Sequence, residues 1–370
     1  MLKKILLFIS VSLFLLYCFS VTTYAMDVKP FSFDYSEIYG EIDGETDELL
    51  DALGIKDTNA DELLELSPRK IIDLIIELIK GKWKEPLRTV GTVSCICVLS
   101  SLINTLNINR IKNETLFSFF ETSVVLISVA IPLSEVLTSA ISSMMLLSDF
   151  MLAYIPVFTG VISASGMAFS AVSYNAVLLS FAEISSKLST DFVIPAVFML
   201  TLISIYSSTG SCVEVSNITS VIKKIVTVIL SLTAGIFTGL LALKSKIAIA
   251  ADSVAVKGVK LLSGSIIPIV GGAIGDAFSS VLGSFALIKN TVGAFGIIVI
   301  LLTVLPSVLS LLLWFFSLSI SSMICSFTGN NETAKIINSI NSCISMVNTV
   351  LIFFATVFIV STGIMLNLRG

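Results

Sequence analysis

Long apolar runs separated by short polar segments predict several membrane-spanning helices in most of this chain. The hydrocarbon core of a bilayer is about 30 Å thick, so one spanning helix needs about 20 mainly apolar residues. The candidate spans are residues 89–107, 116–133, 150–172, 192–209, 225–243 and 344–366. The uncharged run 290–331 contains Pro306 and is long enough for a bent helix and a second, shorter membrane piece. We therefore expect an all-α polytopic membrane protein with six to nine membrane helices or half-helices after a signal peptide.

The first 84 residues have a different pattern, which predicts three segments ahead of a polytopic domain at 85–370. Residues 1–25 combine two lysines, an apolar run and a small-residue cleavage site, which is typical of a signal peptide, either cleaved or kept as an anchor. In both cases we expect the acidic region 26–66 to be exported. In residues 67–84 charged and apolar positions fall on opposite faces of a helix. We expect this amphipathic interfacial helix on the exported side, against the membrane surface, a partner or the protein's own helices.

Composition supports the membrane assignment and excludes several kinds of chemistry. The chain of 370 residues is 55% hydrophobic and 13% charged, with a mean hydropathy of +1.00, which is more apolar than a soluble core requires. The net charge of −4 averages two unlike parts: residues 26–77 hold 15 acidic and 4 basic side chains, whereas residues 78–370 hold 11 and 16. The sequence has no histidine, which excludes histidine-based nucleophilic dyads and histidine zinc sites.

The stretch 261–296 departs from the pattern of plain spanning helices. It contains seven glycines, and Gly271, Gly272 and Gly275 follow Pro268 closely, just before the single acid Asp276. A helix broken here in contact with lipid would leave backbone donors and acceptors without partners. We therefore predict a discontinuous or re-entrant segment that neighbouring helices enclose or that lines a wet cavity.

A second stretch has a similar pattern. Pro156 and Gly160 repeat the motif Ile-Pro-[Ile/Val]-x-x-Gly of Pro268 and Gly272 at an offset of 112 residues. Matching proline and glycine interruptions in two halves are typical of secondary transporters, whose binding site lies at the repeat interface. Short apolar motifs also recur by chance in a sequence of this composition, so duplication and coincidence both remain open. The corresponding repeats are residues 113–220 and 225–330.

Two acids fall within predicted membrane segments, where a charge is costly and marks a functional candidate by default. Glu121 lies in the span 116–133, and Asp276 follows Gly275. Either these acids form part of an ion or proton path, or they lie at helix ends near the lipid headgroups. The sequence does not decide between the two interpretations.

The sequence predicts no catalytic residue, no cofactor and no metal site. The glycine pair before Asp276 is spaced one residue too widely for the motif of intramembrane aspartyl proteases, and no second aspartate has the required context. A basic surface with interleaved aromatic residues, which would indicate nucleic-acid binding, is missing from the sequence as well. Five cysteines are expected to serve as small hydrophobic residues. They are Cys95, Cys97, Cys212, Cys325 and Cys343.

Two runs in the second half of the chain carry a family resemblance. Residues 259–271, with Ile267-Pro268 at their end, and residues 287–293, which read Leu-Ile-Lys-Asn-Thr-Val-Gly, resemble the stage III sporulation protein AE family of endospore-forming Firmicutes. The resemblance implies a mother-cell protein, in the membrane around the forespore, that works with other stage III sporulation membrane proteins in a channel complex joining the two cells. It also implies a requirement for late forespore gene expression, and no catalytic residue.

A different function class also fits the pattern. A self-sufficient secondary transporter would move a small solute or ion through the repeat interface without partner proteins. The two hypotheses differ in an observable way, since a complex component needs its partners and a permease works alone in liposomes.

Overall fold

In this computed structural model the protein is described at residues 36–55, 67–106, 114–193, 215–266 and 271–367, and at residues 195, 196 and 199. In these residues the chain forms nine α-helices and no strand. The helices are α1 (Ser36–Gly40), α2 (Gly44–Leu53), α3 (Pro68–Lys82), α4 (Lys84–Leu106), α5 (Glu114–Ala164), α6 (Ala168–Lys187), α7 (Val215–Ile266), α8 (Gly271–Phe327) and α9 (Asn331–Leu366). A π-helical segment, Leu188–Val193, follows α6.

Helices α4 to α9 are long and apolar enough to cross a membrane, which gives six candidate spans in the described part of the chain. This confirms the predicted all-α polytopic class. Three of them are longer than expected, with 51 residues in α5, 52 in α7 and 57 in α8. At a rise of about 1.5 Å per residue, such helices exceed the thickness of a hydrocarbon core more than twofold.

Helix α8 is the centre of the bundle. It packs along α9 and α5 and also contacts α4, α7 and the two short helices α2 and α3. Its buried side chains include Val299, Leu302, Val308, Leu311 and Trp314, which lie on several sides of the helix. A helix that is apolar all round is stable only when it is enclosed by protein or lipid, and α8 is enclosed mainly by protein.

The acidic N-terminal helices pack against this centre. Ile38 of α1 and Leu50 of α2 are buried, and the Tyr39 and Phe295 rings lie 5.4 Å apart between centroids. The Thr46 hydroxyl donates a hydrogen bond to Thr303 Oγ1 at 3.4 Å. A segment too short for its own core therefore gains one from α8.

Helix α3 begins as the sequence predicts. The backbone N–H of Lys70 donates to Ser67 Oγ at 3.4 Å, and Pro68 occupies the first helical turn. Only Leu74 of its apolar residues is buried, whereas Ile72 and Ile76 are 54% and 43% exposed. Two apolar positions of α3, one turn apart, are therefore not covered by the protein's own helices.

The expected interruption at Pro156 and Gly160 does not occur. Helix α5 continues through both residues to Ala164. The proline lies on an exposed side, while Tyr154, Ile155 and Phe158 on the other side are each 1% exposed. Tertiary packing of these large side chains stabilises the helix despite the missing N–H of the proline.

Two predicted spans have different boundaries in the structure. The candidate 150–172 is divided by a turn at residues 165–167, where Gly166 has a φ of +87° and so adopts the left-handed conformation that favours glycine. The uncharged run 290–331 was expected to hold a bent helix and a second, shorter membrane piece. Instead, α8 continues through Pro306 as one helix to Phe327.

Other predictions fall outside the described residues. Residues 267–270, which include Pro268, lie between the end of α7 at Ile266 and the start of α8 at Gly271. The signal segment 1–25 and most of the candidate span 192–209 are not described either. The repeat hypothesis and the re-entrant segment at Pro268 therefore stay predictions.

The prediction that the five cysteines serve as small hydrophobic residues is wrong for two of them. Cys97 of α4 and Cys325 of α8 form a disulfide, with their Cα atoms 5.6 Å apart and both side chains buried. The spacing of Cys95 and Cys97 within one helix gave no hint, because the partner is 228 residues away. The disulfide links α4 covalently to the last turns of α8.

Candidate functional site

A buried polar cluster lies where α4, α5 and α9 meet. The Glu121 side chain is 7% exposed, and its Oε2 accepts a hydrogen bond from Ser100 Oγ at 2.5 Å. The neighbouring Thr122 hydroxyl pairs with Thr333 Oγ1 at 3.0 Å. Carboxylate Oε1 is also buried, and no described residue donates a hydrogen bond to it. Without a proton or a cation, the buried carboxylate would keep a charged oxygen unpaired, which is costly. A carboxyl group enclosed by hydroxyls can therefore hold a proton or a small cation.

The disulfide is close to this cluster along α4. Cys97 lies one helical turn before Ser100, and its carbonyl accepts a hydrogen bond from Asn330 Nδ2 at 3.0 Å. Asn330 directly precedes α9, which contributes Thr333. The covalent link and the hydrogen bonds therefore fix α4 and the α8–α9 connection around the Glu121 carboxylate.

A second polar feature is a cavity of about 300 Å³ between α2, α5 and α8. Its walls carry hydroxyls from Thr46, Thr138, Ser142 and Thr303 and carboxylates from Asp43 and Glu45. The hydroxyls of Ser143 and Ser307 bridge α5 and α8 beside it at 2.8 Å. This lining suits water or a small polar solute better than an apolar ligand.

The sequence indicates this cavity through a group of hydroxyl residues that the search for apolar runs does not reveal. Serine and threonine recur at positions 138, 139, 142 and 143, which place hydroxyls on one face of α5 over two turns. That region resembles a weakly amphipathic connection when it is considered alone. This part of α5 lines a cavity only because α2 and α8 pack opposite to it.

Asp252 is a buried acid that the sequence analysis did not select. It is 2% exposed, and its two carboxylate oxygens accept hydrogen bonds from the backbone N–H groups of Phe169 at 2.8 Å and Ser170 at 3.0 Å. These N–H groups belong to the first turn of α6, where helical N–H groups have no partner within the helix. Asp252 of α7 therefore caps α6, and its function is structural.

The structure does not combine the predicted site residues into one site. Glu121 and Pro156 belong to the same helix, 35 residues apart, or about 50 Å, and Gly160 lies a further turn along. The first turns of α8 contain Gly271, Gly272, Gly275 and Asp276. What surrounds these four residues lies outside the described part of the structure. The Glu121 cluster lies beside the last turns of α8, so the two acids are not neighbours.

The described residues contain no group of three or more histidine, cysteine, aspartate or glutamate side chains that could hold a metal ion. Glu121 and Asp252 are each surrounded by hydroxyls or backbone N–H groups rather than by further acids. The two buried acids are therefore single carboxylates, whereas the cavity combines hydroxyls with the two carboxylates of Asp43 and Glu45.

Comparison with known proteins agrees with the sequence resemblance. The family model described as Stage III sporulation protein AE matches residues 55–368. A curated relative from Bacillus subtilis (strain 168), named "Stage III sporulation protein AE", is 24% identical over 218 residues, which cover 58% of this chain and 54% of that protein. The aligned region thus spans about half the length of the relative. No solved structure matches the chain.

Proposed function

This chain belongs to the stage III sporulation protein AE family, and we propose that it is a membrane component of the channel complex between mother cell and forespore. The family match covers helices α3 to α9, so it includes all six helices that could cross a membrane. A role in sporulation and a membrane location follow from these observations. Complex membership, residence in the mother-cell membrane and a requirement for late forespore gene expression are the proposed part.

The observation that carries this proposal is the uncovered apolar row of α3, a helix outside the candidate membrane spans. Ile72 and Ile76 are one turn apart and exposed, while α2 and α8 cover only the opposite side around Leu74. Lys82 at the end of α3 binds Glu45 of α2 at 3.2 Å, which orients the two helices together. Exposed apolar rows next to charged residues are typical of protein docking surfaces.

In the proposed arrangement, α1 to α3 lie on the exported side and dock onto other stage III sporulation membrane proteins. The acidic side chains of α2, which include Asp47 and Glu48, would form a polar rim around the apolar contact of α3. No enzymatic step is needed for this function. The bundle of α4 to α9 would anchor the docking surface in the membrane.

Co-purification from sporulating cells tests the proposal. Tagged full-length protein extracted in mild detergent should retain other stage III sporulation membrane proteins, and the double variant Ile72→Ser, Ile76→Ser should lose them. Val254→Ser is the control, because Val254 is an exposed apolar residue of α7, at 72% against 54% for Ile72 and 43% for Ile76, and lies outside the docking surface. Wild-type protein that purifies without any such partner, or a double variant that retains them all, would contradict the proposal.

A self-sufficient transporter remains the second candidate, and the Glu121 cluster together with the hydroxyl-lined cavity favours it. Purified protein in liposomes should then take up a small cation or polar solute without partners, and Glu121→Gln should abolish uptake while leaving the fold intact. Normal spore formation by cells that carry Glu121→Gln and Asp276→Asn would exclude an ion path through these acids.

A further inference from the structure

We propose that a groove between α4, α5 and α8 binds one phospholipid with an amine-bearing zwitterionic headgroup, such as phosphatidylethanolamine. The groove has a volume of about 890 Å³, which is near the upper end of ordinary ligand sites. It is polar at one end and apolar along its length. The residues of its walls support this assignment, which does not rest on the proposed channel function.

The apolar wall is a row of side chains on α5. Val124, Ile127 and Ile131 follow each other at successive turns and are 50%, 59% and 65% exposed. The same row continues into Glu135 and Ser139, so the wall changes from aliphatic to polar within one turn. Such a wall accommodates an acyl chain on one part and a headgroup on the next.

The opposite wall is the first half of α4, where Glu85, Arg88 and Thr92 face the groove at successive turns. Within the described residues, Arg88 has no carboxylate within ion-pair distance. Lys82, at the same end, is already engaged by Glu45 at 3.2 Å. Among the described residues that line the groove, Arg88 is therefore the cation without an ion-pair partner.

The charges at the polar end match a zwitterionic headgroup. A guanidinium binds a phosphate through two parallel hydrogen bonds, and Arg88 can supply them. Glu85 and Glu135 are exposed on the two walls, and their carboxylates can accept hydrogen bonds from a primary ammonium. The described lining of the groove carries two cations, Lys82 and Arg88, and two carboxylates, Glu85 and Glu135. A lipid that carries both charges therefore fits this balanced lining better than one with a net negative charge.

The position of the groove favours a lipid over a soluble ligand. Both α4 and this part of α5 belong to candidate membrane spans, and the charged residues lie at the start of α4, beside the exposed Trp83. Basic residues and tryptophan at the end of a span are typical of the headgroup level. An acyl chain along Val124 to Ile131 would then extend into the hydrocarbon region.

Lipid retention measured by native mass spectrometry tests the proposal. Full-length protein is equilibrated in vesicles with equal amounts of phosphatidylethanolamine, phosphatidylglycerol and phosphatidylcholine, and then extracted in mild detergent. We expect one tightly retained phosphatidylethanolamine. Arg88→Gln should lower its retention at least about tenfold, because a charge-assisted hydrogen-bond pair is lost, and Glu135→Gln should shift the preference towards phosphatidylglycerol.

Lys187→Gln is the matched control, since Lys187 is an exposed cation on α6 that pairs with Glu183 on the same helix and lies outside the groove. A phosphatidylethanolamine analogue with a photoreactive acyl chain gives an independent measurement. It should crosslink to the α5 peptide that contains Ile127 and Ile131.

Three results would overturn the proposal. The first is that Arg88→Gln retains as much of the lipid as wild type, and the second is that the lipid crosslinks only to helices other than α5. The third is that a cysteine introduced by Ile127→Cys crosslinks to residues 1–35 or to a partner protein. The last result would show that a protein segment occupies the groove. A variant that fails to fold leaves the wild-type photo-crosslink as the deciding measurement.

Discussion

Helices α8 and α7 are similar in length and apolar composition but have different places in the molecule. Both exceed 50 residues, and their most apolar windows have mean hydropathies of 2.7 and 2.2. Yet 61% of that window is buried in α8 and only 22% in α7. Apolar composition therefore predicts that a helix belongs in the membrane, but does not predict whether it is central or peripheral.

Close contacts through small residues distinguish α8. A Cβ added at Gly296 would collide with the Tyr154 ring, and Ser317 Oγ donates to the Pro86 carbonyl at 2.6 Å. Ser307 pairs with Ser143 of α5. Small residues let helices approach closely in a membrane, where the hydrophobic effect does not hold helices together.

Helix α7 lacks comparable contacts on most of its surface. The positions of Gly235 and Gly239 have nothing within 4 Å of an added Cβ, and Leu232, Ile236 and Ile247 are each more than half exposed. The opposite face packs on α6 and α9, for example through the Phe237 and Phe181 rings at 4.2 Å. The exposed row of α7 is therefore available to lipid or to partner proteins.

The largest difference between the two helices should come from truncating leucines. Leu318→Ala in α8 removes a fully buried side chain and should lower the free energy of unfolding by about 2–5 kcal/mol. Leu232→Ala in α7, where the side chain is 61% exposed, should have little effect. Thermal unfolding of both variants in the same detergent measures the two losses of stability. An equal loss in both variants would contradict the difference in burial between α8 and α7.

Removal of the disulfide should have the next largest effect, since it links α4 to α8 across a long loop. Cys97→Ser should lower the free energy of unfolding by about 2–4 kcal/mol, and Cys95→Ser, which changes an exposed free cysteine, should not. Alkylation under denaturing conditions, before and after reduction, shows whether Cys97 and Cys325 are paired. Full alkylation without a reductant would show that they are not.

Replacing one glycine by alanine in each helix tests how closely α8 and α7 are packed, because the substitution adds a single methyl group. Gly296→Ala should destabilise the protein by about 1–3 kcal/mol, because the new Cβ needs the space of the Tyr154 ring. Gly239→Ala should leave stability unchanged or raise it by up to about 1 kcal/mol through helix propensity. The melting temperatures decide the matter, and an equally stable Gly296→Ala variant would argue against the close approach of α5 and α8.

The smallest expected effect concerns the link from α7 to α6. Asp252→Asn keeps one acceptor but loses the charge and one of two hydrogen bonds to the α6 N-terminus, which should cost about 1 kcal/mol. Asp149→Asn, on an exposed position of α5, is the control. Faster amide hydrogen exchange in the first turn of α6 should accompany the loss, and unchanged exchange would contradict the capping function.

The sequence was sufficient for the class of the fold and for the family. Runs of about 20 apolar residues identified a polytopic helical protein, and Ser67-Pro68 identified the start of α3. The motif around Ile267 and Lys289 identified the family. The apolar runs and the helix start are local in sequence and have direct physical causes in hydrophobic periodicity and helix capping, whereas the family rests on a resemblance.

The errors arose where tertiary contacts override local signals. Pro156 was expected to interrupt a helix, but the buried row on the opposite side of α5 keeps the helix continuous. The pairing of Cys97 with Cys325 and of Asp252 with α6 joins residues more than 80 positions apart. No local pattern reveals such pairs without the arrangement of the helices.

The central place of α8 can be tested most directly by comparing lipid contact along α8 and α7. Single cysteines replace Val299 and Leu311 in α8 and Leu232 and Leu243 in α7, and a lipid-soluble thiol reagent labels the protein in membranes. Peptide mass spectrometry should show strong labelling of both α7 positions and several-fold weaker labelling of both α8 positions. Equal labelling of the two helices, or stronger labelling of α8, would contradict an enclosed α8.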